Sequence, residues 1–154
     1  MLNSLTNHNN RIGPMSQHDI DCVSALEEIV LSVPQIDIKT FHTIHGGMYA
    51  RTIMVPAGVV LTGAIIDLPT ILIVHGEAVI YIDGKPVEFK GYHVIPASAH
   101  RKQVVVTVAD TYFTMIFPTK ASTVKEAEDE FTDDPFRLIS RLNPHLNHIT
   151  ITGE

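Results

Sequence analysis

Apolar positions along the chain change their period twice. Ile20, Val23, Leu26, Ile29, Val30 and Val33 recur three or four residues apart, the spacing of one helical face. Asp19 is the expected N-cap of that helix and Pro34 its stop. From Thr40 to Pro118 short runs rich in Val, Ile, Thr, Tyr and Phe alternate with turn residues. This pattern predicts strands near Thr40–His45, Tyr49–Val55, Val59–Asp67, Ile71–His75, Ala78–Ile82, Val87–Phe89, His93–Pro96, Lys102–Val108 and Tyr112–Phe117. Asp83-Gly84 is the strongest hairpin signal, because a type I′ turn needs positive φ at both central residues. Pro56-Ala57-Gly58, His75-Gly76-Glu77 and Ala109-Asp110 are the other expected turns. Nine short strands with no helix between them predict an antiparallel sandwich or closed barrel, not a parallel sheet.

Beyond Pro118 the helical period returns. Thr123 and Glu126 form an expected capping box. It opens a helix from Val124 to about Phe131, with Glu126, Glu128, Asp129 and Glu130 on a solvated face. A second short helix is expected from Asp134, with Pro135 in its first turn, carrying Phe136, Leu138, Ile139 and Leu142. The last ten residues read as a tail or an added edge strand. The chain thus divides into a flexible arm (1–18), a helix plus barrel (19–118), and C-terminal helices and tail on the same domain (119–154).

Composition narrows the function classes. At 154 residues, 45% hydrophobic and 18% charged, the chain can bury a core without disulfides or a structural metal. Its one cysteine, Cys22, is expected as a buried, inert helix thiol, and nothing points to an oxidising compartment. The Asn-rich start has no apolar core, so a signal peptide is not expected, and no apolar stretch is long enough to span a bilayer. A cytoplasmic protein is the plain expectation. The net charge is −6 and eleven Lys and Arg are scattered, which argues against nucleic acid and anionic membrane as partners.

The motifs carry a resemblance. Pro56-Ala57-Gly58, the run Val59–Asp67, His75-Gly76-Glu77 with Asp83-Gly84, and Gly91-Tyr-His-Val-Ile-Pro96 resemble the cupin superfamily, the RmlC-like jelly roll. Gly46-Gly47-Met-Tyr49-x-Arg51 and the acidic helix after Pro118-Thr119 look like small cupin-like proteins encoded by tailed bacteriophages. The resemblance implies an all-β, cupin-like antiparallel barrel with an N-terminal helix and one or two short C-terminal helices. It also implies pairing into a homo-oligomer, a dimer, through outer strands. Metal-binding cupins supply a His-x-His pair and a Glu from the first motif and a His from the second. Counted from Gly58, those positions fall on Ala64, Ile66, Thr70 and Arg101, with His100 one residue early. A one-residue slip turns a strand side chain to the other face. No metal or other cofactor is therefore expected, and Ala64, Ile65, Ile66, Leu72 and Val74 would form an apolar lining.

The remaining chemistry is sparse. Nine histidines include His42 and His45, which strand alternation sends to opposite sides, so a zinc site formed with His93 or His100 is the less favoured reading. His8, His18, His145 and His148 are expected in solvent, and no catalytic residue is expected. The polar groups that could face a cavity are Tyr49, Arg51, Tyr81, Arg101, Tyr112 and Thr114, a small-ligand site if the barrel is open. Three function classes follow: a non-catalytic phage barrel binding a small molecule or a phage or host protein in the infected cell; a virion structural or assembly protein; and a metal-dependent cupin enzyme, an isomerase or dioxygenase.

Overall fold

The computed structural model describes residues 11–154; the start of the expected arm and His8 lie outside the described residues. Helix α1 spans Gln17–Val30. Its cap is Ser16, not Asp19: the Ser16 hydroxyl accepts the Asp19 N–H at 3.1 Å. Asp19 instead sits in the first turn, where a carboxylate meets the positive end of the helix dipole. The residues before the helix are tied down. Ile12 is buried, donates to the Pro96 carbonyl at 3.0 Å and accepts from the Ser98 N–H at 2.8 Å.

Eight strands follow among the described residues: β1 Thr40–His45, β2 Met48–Val55, β3 Val60–Thr62, β4 Thr70–Ile82, β5 Lys85–Ala97, β6 Val104–Thr107, β7 Thr111–Pro118 and β8 Asn147–Ile151. Between β7 and β8 lie α2 (Val124–Phe131), a 3₁₀ turn (Pro135–Arg137), α3 (Ile139–Leu142) and a last 3₁₀ turn (Pro144–Leu146). β4 pairs along its whole length with β5. Its other edge is shared. Ile71 to His75 pair with β7, which continues the sheet through β2 and β1 to β8, whereas Ala78 to Ile80 pair with β6 and so with β3. One sheet therefore curls into a half-barrel with a larger and a smaller wing, joined by the β4–β5 hairpin. Pairing is antiparallel except at the added edge, where β8 runs parallel to β1.

The hairpin turns tightly at Asp83 and Gly84, with φ of 52° and 70°, as a type I′ turn requires. Its strands are continuous where breaks are expected. His75-Gly76-Glu77 is not a turn, and neither β4 nor β5 divides in two. Gly76 and Gly91 face each other in register with φ of 147° and 88°, and they mark the corner between the wings. Space as well as φ demands glycine at the first of them. A Cβ on Gly76 would lie 2.6 Å from the Asp110 carbonyl oxygen and 2.7 Å from Thr111 Cα.

Two other strands are shorter than their apolar runs. After Thr62 the chain leaves the ladder: Ile66 makes only an isolated bridge to Arg101, and the Asp67 N–H donates to the Phe131 carbonyl. β6 starts at Val104 because Lys102 is drawn to Glu27 of α1, with Nζ 2.8 Å from the carboxylate. The second C-terminal helix is split by Leu138, whose extended backbone separates the 3₁₀ turn from α3.

The core has two parts. Val55, Val74, Ala78, Ile80, Ile95, Val105 and Phe113 fill the space between the wings. Tyr49, Met115, Phe117, Ala127, Phe131 and Leu138 seal the inner side of the larger wing under α2. α2 begins at a cap that differs from the box expected. The Thr123 hydroxyl accepts the Glu126 N–H at 3.2 Å, but the Glu126 carboxylate receives the Ser122 N–H.

Gly76→Ala is expected to cost about 3 kcal/mol or more, since both strain at positive φ and a backbone clash oppose it. Gly13→Ala, whose Cβ would meet nothing within 4 Å, is expected to change stability by less than about 0.5 kcal/mol. Urea unfolding of the two variants checks the contrast, and a Gly76→Ala protein as stable as the parent would refute the corner.

Candidate functional site

The inner face of the larger wing carries a polar network where an open barrel would hold a pocket. His42, on β1, is 1% exposed. The Asn147 side chain donates its amide to the Ser140 carbonyl at 2.9 Å, which aims its oxygen at His42 Nε2, 3.0 Å away. His42 Nε2 must then carry the proton. Nδ1, left as acceptor, takes the Tyr49 O–H at 2.7 Å. Burial lowers the His42 pKa from 6.5, opposed by the bond to Asn147, and burial raises that of Tyr49. Both groups are thus held neutral, as this hydrogen-bond chain needs.

Beside it lies a charged knot. Glu128, expected on a solvated helix face, is 2% exposed. Its carboxylate takes Arg51 Nη1 at 3.0 Å, Arg141 Nε at 2.9 Å and the Ser140 hydroxyl. Arg51 also lies over the Phe131 ring, 5.5 Å from its centre. Spacing could have found Glu128. Val124, Ala127, Glu128 and Phe131 share one helical face, and all four are buried. Ser140, Arg141 and Asn147 carry no comparable signal.

Three of the four positions counted as cupin ligands, Ile66, Thr70 and Arg101, are joined directly. Arg101 pairs with Ile66 through the isolated bridge and donates Nη2 to the Thr70 hydroxyl at 2.7 Å. It also donates to the Ser98 and Leu68 carbonyls. Ala64 and Ile66 pack against the Tyr49–Phe131 cluster. The Arg101 guanidinium is 2% exposed and has no carboxylate within ion-pair reach among the described residues, and burial pulls its pKa down to about 10. A metal cation does not fit a place held by a buried cation, two hydrocarbon side chains and a neutral hydroxyl. Among the described residues no three His, Cys, Asp or Glu side chains come close enough to share an ion. Near this edge the Asp67 carboxyl is raised in pKa, by burial first and then by the neighbouring Asp133.

The six residues named as cavity candidates do not converge. Tyr49 and Arg51 belong to the buried network, and Arg101 to the Thr70 cluster. Thr114 sits on the outer side of the larger wing, its hydroxyl 2.8 Å from that of Thr52. Tyr112 is exposed on the same outer side, and Tyr81 is exposed near the hairpin tip beside α1. Of the expected apolar lining, Leu72 and Val74 lie with the inter-wing core, whereas Ala64 and Ile66 join the other cluster. One further expectation changes. Cys22 is exposed, because α1 buries Ile20 and Val23. His42 and His45 do face opposite sides, as strand alternation predicts, with His42 in the core and His45 exposed.

The strand order, the curl and the helices define an all-β half-barrel of one curled sheet with an N-terminal helix and short C-terminal helices. No family model and no curated protein matches the chain. Among solved structures it is similar to a cupin superfamily protein from Desulfitobacterium hafniense, at 14% identity over 57% of this chain and 83% of that one, with a TM-score of 0.47. It is also similar to KdgF from a Halomonas species, at 15% identity over 57% and 86%, TM-score 0.46. An RmlC-like cupin family protein with a double-stranded β-helix fold from Methanocaldococcus jannaschii gives 14% over 54% and 81%, TM-score 0.45. No helix among the described residues is long and apolar enough to cross a membrane.

Two predictions follow from the network. Glu128→Gln leaves Arg51 mostly buried without its counter-charge and Arg141 with Asp129 alone, so it is expected to cost about 3 kcal/mol in urea unfolding. His42 is neutral when folded and titrates near 6.5 when unfolded. Below that pH the unfolded chain binds more protons, so its contribution is whole above 6.5 and is lost as pH falls toward the folded value. The urea midpoint should drop between pH 7.5 and 5.5, and His42→Gln should flatten that drop. Parallel curves for parent and variant would exclude His42 as the titrating group.

Proposed function

We propose that this chain is a non-catalytic binding protein that works as a homodimer paired through the outer side of the larger wing. One observation carries this reading. On that side Phe41, Met48, Ile71, Tyr92, Val94 and Tyr112 are each 40–63% exposed. The alternate positions facing outward on β1, β2 and β7, on the first half of β4 and on the second half of β5 include no Asp, Glu, Lys or Arg. The Thr52 and Thr114 hydroxyls in the middle satisfy each other. A broad, uncharged, apolar sheet face is what a self-complementary pairing surface needs.

The absence of catalysis is supported by the network chemistry. Every buried charge or imidazole on the inner face of the larger wing is spent on holding another group in place, and Arg101 stands where a first-row metal would need a donor. The setting is proposed on the sequence resemblance alone. It is a phage-infected cell, where the dimer binds a small molecule or a protein, with a virion structural role as the second reading. Stoichiometric copies in purified virions would favour the second.

Light scattering after size-exclusion chromatography is expected to give twice the chain mass, and Tyr92→Asp or Val94→Lys to give a monomer with unchanged circular dichroism. A parent protein that elutes as a monomer at micromolar concentration would sink the pairing.

A further inference from the structure

We infer that the groove under α1 binds a lipophilic cation, an apolar body carrying one amine or quaternary ammonium group. The groove encloses about 380 Å³ between α1 and the outer side of the smaller wing, within the size range of small-molecule sites. α1 is anchored at both ends, and Ile20 is buried between them. Before the helix, Met15 donates its N–H to the His100 carbonyl at 2.8 Å; near its end, Glu27 holds Lys102. Between these anchors the helix covers the wing without closing on it.

The walls say what fits. Val23 and Leu26 from the helix and Val60, Val104 and Val106 from β3 and β6 supply hydrocarbon. Tyr81, 41% exposed, supplies an aromatic face, which attracts a cation. Asp19 and Asp83 are the charged residues lining the groove, and neither makes an ion pair among the described residues. Among the described residues no Lys, Arg or His lines it. An anion would face two carboxylates beside apolar walls, and a neutral body would strip water from them without replacement. A cation answers both. This site is separate from the pairing face, and its failure would leave the dimer reading intact.

Cys22 also lines the groove and is the chain's only cysteine, so its alkylation by iodoacetamide reports occupancy. 4-Phenylbutylamine and 4-phenylbutyrate share one apolar body and differ in charge. The amine is expected to slow alkylation saturably and the carboxylate to leave it unchanged. Asp83→Asn keeps the turn, because Asn tolerates the left-handed conformation, and should weaken protection by the amine about fivefold, the loss of one accessible ion pair. Val60→Trp should fill the groove and abolish protection while leaving circular dichroism native. Equal protection by both compounds, protection by neither, or an Asp83→Asn protein protected as well as the parent overturns the inference.

Discussion

A single hairpin belongs to both wings of the sheet, and it can do so only where its two strands turn a corner together. Thirteen residues of β4 lie against thirteen of β5 without interruption. The bend falls at Gly76 and Gly91, and the far edge of β4 changes partner across it, from β7 to β6. At Gly76 the neighbouring strand comes so close that no side chain fits. Thr111, fully buried there, reinforces the contact by accepting the Glu77 N–H at 3.0 Å and donating to the Ala109 carbonyl at 2.8 Å. The inter-wing core, the filled inner face and the α1 groove all take their positions from this corner.

Inside the larger wing polarity serves cohesion. Burying a charge is costly unless it is paired and hydrogen-bonded. Glu128 meets that demand with two guanidiniums and a hydroxyl, and in doing so ties α2 and α3 to β2. Arg101 meets it differently, with carbonyl oxygens and the Thr70 hydroxyl alone, which makes it a clamp on the loops at 66–70 and 98–101. The inner face of the larger wing is a filled interior.

Local signals were legible in the sequence, and long-range ones were not. The Asp83-Gly84 turn, the bounds of β1 and the span of α2 are set within a few residues by φ requirements and by period, so pattern alone finds them. Gly76 and Gly91 look like breaks because glycine weakens an isolated strand; only the approach of Thr111, thirty-five positions from Gly76, turns them into a corner. The expected cavity set failed to converge for the same reason. Strand alternation tells which side of the sheet a residue faces, not which wing it lies on. Tyr49, Tyr81 and Tyr112 therefore end in three different surroundings. Counting from Gly58 did bring Thr70 and Arg101 together, because position within a strand framework is a global property that a motif can carry.

The way the sheet is covered bears on how it meets partners. α1 shields the outer side of the smaller wing, and α2 with α3 shields the inner side of the larger, and among the described residues no helix covers the outer side of the larger wing. Its β5 edge is guarded even so. β5 carries Lys85, Pro86 and Lys90 on its margin, and at its end Ile12 pairs with Ala97 and donates to the Pro96 carbonyl. Lysines and prolines discourage another strand from adding to a sheet, and a margin already paired has no free groups to offer. In the dimer proposed above, a blocked β5 edge beside the exposed Tyr92 and Val94 would favour contact by stacking of faces. In that geometry side chains interdigitate, no new backbone hydrogen bonds form, and association can stop at two copies instead of extending into a fibre.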